Sequence, residues 1–398
     1  MNKPDRIIYA DNAATTAVDP RVVEAMLPLM CDNFGNPSSQ FYSIGRRARA
    51  ALEEARASVA RVFNCSPDEI YFTSGGSESD NWALKGVARA LAPKKRHIIT
   101  SAIEHHAILH SAAALEKDGL DVTYLGVDKN GVVDLSQLAA AIRPDTALVS
   151  VMFANNEIGT VEPVREIGKI AKERGVAFHT DAVQAAGHCD IDLAELGDVD
   201  LMSISAHKFH GPKGVGALFI RRGTKIASFL DGGAQERGRR ATTENVAGVV
   251  GLAAALGIAA ASREENSRKI GALSARLTEG LLKIPHTRLN GHPTQRLDNN
   301  VNISFLGVEG ETILMDLDRY GICASTGSAC ASGSLDPSHV LLAIGLRHEE
   351  AHCSIRFTLG EDNTDGDVDY IINSMREILE FRRSMSPLYE DILKGENA

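Results

Sequence analysis

The stretch Ala177-Phe178-His179-Thr180-Asp181-Ala182-Val183-Gln184 runs from a β-rich segment directly into an acid and, three residues later, an amide. Six further β-rich runs lie between residues 68 and 220, interleaved with helical patterns. Strands that alternate with helices are typical of an α/β fold with a mainly parallel, doubly wound sheet. We therefore predict a seven-stranded sheet of this kind, with ligands bound where the carboxyl ends of its strands meet.

The predicted elements divide the chain into a large and a small domain. The strands of the large domain are expected at residues 70–73, 97–101, 122–125, 147–153, 177–180, 201–205 and 216–220. An alanine-rich helix over residues 244–262 follows them and leads into patterns that fit a smaller α+β domain. We expect a large domain over residues 16–261 and a small domain formed by residues 1–15 together with 262–398.

The composition excludes several classes of protein. With 398 residues the chain is long enough for two domains and a sizeable core. A hydrophobic share of 44% and a charged share of 24% are ordinary for a soluble globular protein, and no apolar run approaches the ~20 residues of a membrane span. The net charge of -10 argues against nucleic acid as a direct partner. The N-terminus lacks the apolar stretch of a signal peptide, so we expect a cytoplasmic protein.

The six cysteines are expected to be reduced thiols. No two of them form a C-x-x-C pair, so their spacing does not predict a structural metal site. Five of them are interpreted as small buried hydrophobes. Cys330 differs, because it lies in the loop Ser325-Thr326-Gly327-Ser328-Ala329-Cys330-Ala331-Ser332-Gly333-Ser334, whose small residues offer few anchoring side chains. We expect this thiol to be able to visit a bound ligand and then swing outward to an acceptor.

An amine follows another of the predicted strands. Lys208 lies in the run Ser205-Ala206-His207-Lys208-Phe209-His210-Gly211, 27 residues after Asp181. Pyridoxal phosphate (PLP) needs a lysine for its Schiff base and a carboxylate for its pyridinium nitrogen, and these two residues offer both. Either residue alone would be interpreted as a surface lysine or a capping aspartate. Their combination with the Cys330 loop suggests an amino-acid enzyme with a sulfur nucleophile.

The loop Thr73-Ser74-Gly75-Gly76-Ser77-Glu78 lies between a predicted strand and a predicted helix and indicates an anion site. Its two glycines let backbone amides face outward, and a helix N-terminus favours a phosphate. We also expect Ser77 to cap this helix, with Asp80 three residues on. An ordinary capped turn has the same pattern, and the loop matches neither a Walker A motif nor a Rossmann fingerprint.

Further polar residues follow other predicted strands. His105 would project at the carboxyl edge of the sheet, where its ring can stack on a flat cofactor or exchange a proton; a helix-capping histidine is the alternative. Asn156 and Gln184 reach the same edge. Arg356, on an apolar strand, offers a guanidinium for an α-carboxylate, and a structural salt bridge is the alternative there.

With these residues in view, the chain resembles the cysteine desulfurases of the NifS and IscS type, which are fold-type I PLP enzymes. The resemblance extends nearly from end to end and covers Arg356 and the runs 9–16, 34–39, 75–81, 155–159, 179–184, 207–214, 235–240 and 327–334. It implies a homodimer that converts L-cysteine to L-alanine and leaves the sulfur as a persulfide on Cys330. The implied sulfur acceptor is an iron–sulfur cluster scaffold of the NifU or IscU type. The chain would thereby serve iron–sulfur cluster assembly, a process that involves iron and metal binding, and its own active site would hold no metal.

The resemblance also implies catalytic and ring-binding roles. Lys208 would bind PLP covalently, and Cys330 would carry the sulfur. His105 would stack on the ring and relay a proton. Asp181 would pair with the ring nitrogen, and Gln184 with the phenolic oxygen.

The remaining implied residues bind the phosphate or the substrate. The phosphate would be held by Gly76, Ser77, Ser205, His207 and, from the second subunit, Thr243. The substrate would be bound by Asn36, Asn156 and Arg356. Asn156 would also contact the cofactor.

The chain departs from the family pattern at two positions. Thr242 stands where relatives commonly have glycine, and a β-branched residue does not readily adopt a glycine-only backbone angle. Ala331 stands where threonine is common. The rival functions are a selenocysteine lyase, another fold-type I aminotransferase or lyase, a non-catalytic sulfur carrier and, more distantly, a cysteine–histidine hydrolase. Transfer RNA thiolation and nitrogenase maturation are alternative destinations of the sulfur.

Overall fold

The computed structural model describes residues 6–326 and 336–396. Its strands are, in chain order, β1 Ile8–Tyr9, β2 Ile70–Thr73, β3 His97–Ser101, β4 Asp121–Leu125, β5 Thr146–Ser150, β6 Ala177–Asp181, β7 Leu201–Ser205, β8 Gly216–Ile220, β9 Thr287–Leu289, β10 Asn300–Phe305, β11 Ile322–Cys323 and β12 Ser354–Thr358. The central sheet has seven strands in the order β2-β8-β7-β6-β5-β3-β4. β8 is antiparallel to both of its neighbours and all other pairs are parallel, which confirms the predicted fold.

Helices connect most of these strands. They are α1 Pro20–Cys31, α2 Ser43–Val62, α3 Gly76–Leu91, α4 His106–Lys117, α5 Leu135–Ala141, α6 Val164–Glu173, α7 Leu193–Leu196, α8 Gln235–Gly238, α9 Val246–Leu282, α10 Gly310–Arg319, α11 His339–Ala343, α12 His348–His352, α13 Asp365–Arg383 and α14 Pro387–Glu396. Two short 3₁₀ turns, Pro67–Glu69 and Ala206–Lys208, precede β2 and follow β7.

The central sheet is buried on both faces. Because successive side chains of a strand point to opposite sides, neighbouring residues of one strand enter different cores. Leu148 and Leu218 belong to the cluster beneath α3 and α4, whereas Val149 and Phe219 belong to the larger cluster on the other face. Strands buried on both sides read as continuous apolar runs, which is why the sequence made them recognisable.

A separate core joins the N-terminus to the last third of the chain. Ile8 and Ala10 pack with residues of α9, α10, α13, β10 and β12 around a three-stranded antiparallel sheet in the order β12-β10-β9. The helix α9 takes part in both cores, through Leu252 in the first and Leu277 in the second. The domain boundaries predicted after residues 15 and 261 stay predictions, since the helix α9 continues across residue 261.

One helix is long and apolar enough, by length and composition, to cross a membrane. It is α9, whose most apolar window has a mean hydropathy of 1.7. A core helix of a soluble protein passes the same test, so this finding is weak evidence. α9 contacts α1, α2 and α13, as a core helix does.

Candidate active site

A cleft opens at the carboxyl edge of the central sheet. Successive strand exits supply its walls: the loop after β2, the turn after β3, the segment after β5, the end of β6 and the 3₁₀ turn after β7. The N-terminal segment and β12 close it from the other side. Its lining includes the predicted residues Gly76, Ser77, His105, Asn156, Asp181, Gln184, Ser205, His207, Lys208 and Arg356. The central sheet and the separate sheet that contains β12 thus bring together residues that are up to 280 positions apart, from Gly76 to Arg356.

Lys208 lies in the 3₁₀ turn that follows β7, and its amine reaches the N-terminal segment. Its Nζ donates to the carbonyl oxygens of Ala13 at 2.6 Å and Ala14 at 2.8 Å. The backbone amide of Thr16 donates to the carbonyl of His207 at 3.0 Å, which ties the same segment to the turn. The amine is therefore held at the cleft by backbone oxygens that carry only partial charge.

Asp181 ends β6 on the floor of the cleft. Its side chain accepts a hydrogen bond from the backbone amide of Val183 at 2.9 Å, and the residue is 5% exposed. Burial raises the pKa of Asp181 to about 6, against the lowering effects of the Val183 amide and of the Lys208 charge. A carboxyl with this pKa is ionised at neutral pH and is suited to face a protonated ring nitrogen.

The first turn of α3 forms the anion end of the cleft. Gly75 has a φ of 152°, which a side chain would strain, and a Cβ on Gly76 would lie 2.7 Å from Cγ2 of Val183. The Gly76 backbone therefore packs against Val183, another residue of the cleft lining, more closely than a side chain would allow. Ser205 and His207 stand beside this turn. The predicted cap by Ser77 is wrong, because the N-cap is Gly75 and has no side-chain hydrogen bond.

His105 occupies the turn between β3 and α4. It is the N-cap of α4, and its Nδ1 accepts from the amide of Ala107 at 3.1 Å. Burial, followed by the charge of Lys208, lowers the pKa of His105 to about 4, so the ring is neutral at pH 7. His105 therefore lines the cleft, where it was predicted to lie, and also caps α4, which was the alternative interpretation.

Arg356 reaches the cleft from β12. Its Nη1 donates to the carbonyl oxygen of Asn156 at 2.8 Å, and its Nη2 donates to Oδ1 of Asp11 at 2.9 Å. The residue is 1% exposed, yet its Nε has no hydrogen-bond partner among the described residues. A buried N–H donor of this kind is costly unless it meets an acceptor, so the site suits a bound carboxylate. The predicted salt-bridge alternative is also present, in the form of Asp11.

Three predicted residues are not brought to this cleft by the described part of the chain. Asn36 is exposed, and its Oδ1 accepts from the amide of Ser38 at 2.9 Å in a local turn. Thr243 is exposed and follows Thr242, whose φ of 123° places a β-branched residue where glycine is favoured. Cys330 lies outside the described residues.

Other residues of the cleft had no predicted role in binding or catalysis. Asp11 holds Arg356, Asp80 lies beside Asp181, and His339 accompanies His106 with ring centroids 4.9 Å apart. A signal for Asp80 was present, because Asp80, Ala83 and other buried residues of α3 recur at helical spacing. The partnership of Asp11 with a residue 345 positions away had no local signal.

The sequence pattern of aminotransferase class-V matches residues 8–371. The chain belongs to the class-V aminotransferase family. It is 55% identical over 399 residues to cysteine desulfurase IscS of Clostridium botulinum, a match that covers 100% of this chain and 99% of the relative. It is 58% identical over 388 residues to cysteine desulfurase IscS of Methanosarcina thermophila, which covers 98% of this chain and 96% of the relative.

Solved structures agree with these relatives. A NifS-like protein superposes with a TM-score of 0.89 at 41% identity and covers 94% of this chain and 100% of its own. A structure of SspA in complex with cysteine superposes with a TM-score of 0.79 at 36% identity and covers 90% of this chain and 100% of its own. The predicted resemblance to cysteine desulfurases is confirmed.

PLP is the cofactor of these enzymes, and the predicted dependence on it is confirmed. The cleft fits the group on three counts. The close backbone approach at Gly76 suits a phosphate at a helix N-terminus, Asp181 offers a buried carboxylate, and the Lys208 amine lies in the same cleft. Among the described residues, no group of three His, Cys, Asp or Glu side chains is arranged to hold a metal ion.

Proposed function

We propose that this chain is a PLP-dependent cysteine desulfurase, which converts L-cysteine to L-alanine and retains the sulfur on Cys330. The observation that carries the proposal is the convergence of the Lys208 amine, the Asp181 carboxylate and the open Nε of Arg356 in one cleft. The agreement with cysteine desulfurases over the whole chain supports the reaction assigned to that cleft.

The residues assigned to the cofactor are those that the family resemblance implies, and their position along one cleft supports the assignment. Lys208 is assigned to its aldehyde, Asp181 to its ring nitrogen, Gln184 to its phenolic oxygen and His105 to its ring face. The phosphate is assigned to Gly76, Ser77, Ser205 and His207. When bound, the cofactor supplies an electron-withdrawing ring that makes the Cα proton of an attached amino acid removable.

Substrate recognition is assigned to Arg356 and Asn156. The guanidinium plane is fixed by Asp11 and by the Asn156 carbonyl, so its remaining edge is already oriented for an α-carboxylate. Burial of the guanidinium strengthens such a charged hydrogen bond, because water does not compete for it. Fixing the carboxylate at this point orients the Cα and the sulfur of the substrate toward the cofactor end of the cleft.

Proton movement is assigned to Lys208 and His105. Unprotonated Lys208 can take the Cα proton, since its Nζ lies at the cleft and is held by two carbonyl oxygens. His105 is neutral at physiological pH, and because its Nδ1 accepts from the Ala107 amide its proton lies on Nε2, from which it can be relayed within the cleft.

Sulfur transfer is assigned to Cys330. Its thiolate would attack the substrate sulfur, forming an S–S bond while the Cβ–S bond breaks and its electron pair returns to the carbon side. Protonation of that carbon yields alanine, and the Cys330 thiol is left as a persulfide. No outside oxidant is needed, because sulfur moves from carbon to sulfur without a net loss of electrons from the pair of reactants.

The functional unit we propose is a homodimer in the cytoplasm. Several apolar side chains near the N-terminus are exposed in the single chain: Leu27, Met30, Phe34, Phe41 and Tyr42. Apolar surface of this extent favours a protein partner, and a second copy would also bring Thr243 to the phosphate. The five cysteines within the described residues are free thiols, in keeping with a reducing compartment. An iron–sulfur scaffold of the NifU or IscU type is the proposed sulfur acceptor.

The proposed reaction is tested by the stoichiometry of products. Purified holoenzyme, given L-cysteine and a thiol reductant, should release alanine and sulfide in equal amounts. L-selenocysteine and a keto acid with an amino donor serve as parallel substrates. Turnover of selenocysteine alone would identify a selenocysteine lyase, and amino transfer without sulfide would identify an aminotransferase.

A further inference from the structure

Asp80 is a buried acid beside the ring-nitrogen end of the site. It lies in the second turn of α3, and its side chain lines the cleft together with Asp181. The residue is 1% exposed, and its Oδ1 has no hydrogen-bond partner among the described residues. Within residues 6–326 and 336–396, its one ion-pair contact is Nε2 of His179, at 3.8 Å. No arginine or lysine of that part of the chain neutralises it.

His179 does not supply the missing positive charge. Its Nδ1 is hydrogen-bonded to Oγ of Ser150 at 2.9 Å, and its Nε2 to Oγ of Ser203 at 2.9 Å. Burial lowers the pKa of His179 to about 3, so the ring is neutral at pH 7. Asp80 therefore faces a neutral imidazole and the Ser203 hydroxyl.

Two neighbouring carboxyls in a dry site do not both ionise readily. Asp181 has the better support for a charge, from the Val183 amide at 2.9 Å and from Lys208. Asp80 lacks both. Burial, and then the charge of Asp181, raise the pKa of Asp80 well above its usual range; the Ser203 hydroxyl opposes this shift, and Glu104 in the turn after β3 adds to it.

We propose that Asp80 is a positioning residue that stays protonated and so leaves the negative charge of the pair on Asp181. This inference rests on the proposed function, in which Asp181 faces the ring nitrogen. Asp80 touches neither the substrate nor the reacting atoms. A neutral acid at this place needs no counter-ion, which accounts for the absence of a cation near it in the described structure.

A protonated Asp80 has a consequence for stability that does not depend on catalysis. An aspartate in the unfolded chain has a pKa of about 3.9. Because the folded pKa is raised, this residue takes up a proton on folding at neutral pH. Its favourable contribution is complete below the unfolded pKa and is lost as the pH rises toward the folded pKa.

Asp80→Asn removes this linkage while it retains the shape and neutrality of the side chain. We expect the unfolding equilibrium constant of the unsubstituted holoenzyme to rise about tenfold per pH unit relative to the variant between pH 5 and pH 7. Urea unfolding at pH 5, 6 and 7 measures it. Should Asp80→Asn fold poorly, Asp80→Ala is expected to show the same change with pH at a lower overall stability. A difference between variant and unsubstituted protein that is constant over this pH range would overturn the proposal.

The visible absorption band of bound PLP gives the second readout. Asp80→Asn should retain the band and its wavelength, whereas Asp181→Asn, the matched control, should shift or lose it. If Asp80 carried the charge, Asp80→Asn would disturb the band as the control does, and the proposal would be wrong. Failure of the proposed function would appear differently, as an enzyme that forms no alanine from L-cysteine while the unfolding measurements still report the state of Asp80.

Discussion

Replacing Arg356 with lysine tests the substrate site most sharply among single substitutions. The guanidinium donates to Asn156 at 2.8 Å and to Asp11 at 2.9 Å, and its buried Nε is left without a partner among the described residues. A substrate carboxylate on the Nε edge would accept a hydrogen bond from this remaining donor. Lysine keeps the positive charge but offers a single nitrogen, which cannot serve all three acceptors from one position.

The expected loss in kcat/KM is estimated from the one charged hydrogen bond between Arg356 and the substrate carboxylate that the lysine cannot make. A hydrogen bond to a charged group contributes about 1.5–3 kcal/mol. Taking about 2 kcal/mol for the lost contact, and tenfold per 1.4 kcal/mol, kcat/KM for L-cysteine should fall about 30-fold. Most of this loss should appear in KM, because the carboxylate does not react and binds alike in the ground state and the transition state.

Cysteamine, which is cysteine without its carboxylate, provides the matched probe. Its affinity for the holoenzyme is measured from the change in the visible absorption band on binding. Arg356→Lys should weaken L-cysteine binding and leave cysteamine binding nearly unchanged. Equal losses for both ligands, or an unaltered KM for L-cysteine, would refute the assignment of Arg356 to the carboxylate.

Four further substitutions have defined outcomes. Lys208→Ala should abolish the visible band of covalently bound PLP, and a retained band would remove this lysine from its role. Cys330→Ser should keep the band and its response to L-cysteine but form no sulfide, whereas Cys189→Ser, the control, should form it normally. His179→Gln should reduce the loss of stability on acidification from pH 6 to pH 4 by about tenfold per pH unit in the unfolding constant. The folded pKa of His179 is about 3, so over this range the ring takes up a proton only in the unfolded chain, where its pKa is about 6.5, and this uptake favours unfolding. An equal acid dependence in both proteins would contradict this expectation. Glu236→Ala should lower the free energy of unfolding by about 3 kcal/mol, since it removes two charged hydrogen bonds from the buried Arg56 and leaves that guanidinium with Glu53 and the carbonyl of Ile70. A change in the thermal midpoint no larger than that of an exposed ion pair would argue against it.

The parts of the fold that the sequence predicted are those set by local patterns. The strands of the central sheet other than the edge strand β4 are buried on both faces and are therefore largely apolar, as Gly216–Ile220 illustrates. Strand ends were less certain. The run predicted over 147–153 leaves the sheet after Ser150, although Phe153 still donates to the carbonyl of Asp181 at 2.8 Å.

The site was predictable where a residue lies at the end of a strand or within the few residues that follow it. Lys208 and Asp181 have that placement, and a parallel sheet brings such positions to one edge without further information. Asp11 and Asp80 were not predictable in the same way. The first depends on a strand from the other end of the chain, and the second was interpreted as a capping residue because helix termini commonly hold acids.

Thr242 shows a different limit of prediction from the sequence. A positive φ was expected to be difficult for this β-branched residue, yet Thr242 adopts a φ of 123°. The neighbouring ion pair between Arg240 and Glu78, at 2.7 Å, holds the segment against the turn at the phosphate end of the cleft. Such strain is maintained by contacts from distant elements, and these cannot be read from the local sequence.

The most direct test of the account is a single-turnover measurement with L-cysteine and no reductant. Holoenzyme is mixed with one equivalent of L-cysteine, and alanine and enzyme-bound sulfur are then quantified, with the modified residue identified by mass spectrometry. We expect one alanine per active site and one additional sulfur atom on Cys330. Alanine formed without sulfur on Cys330, or sulfur found on another cysteine of the unsubstituted enzyme, would contradict it.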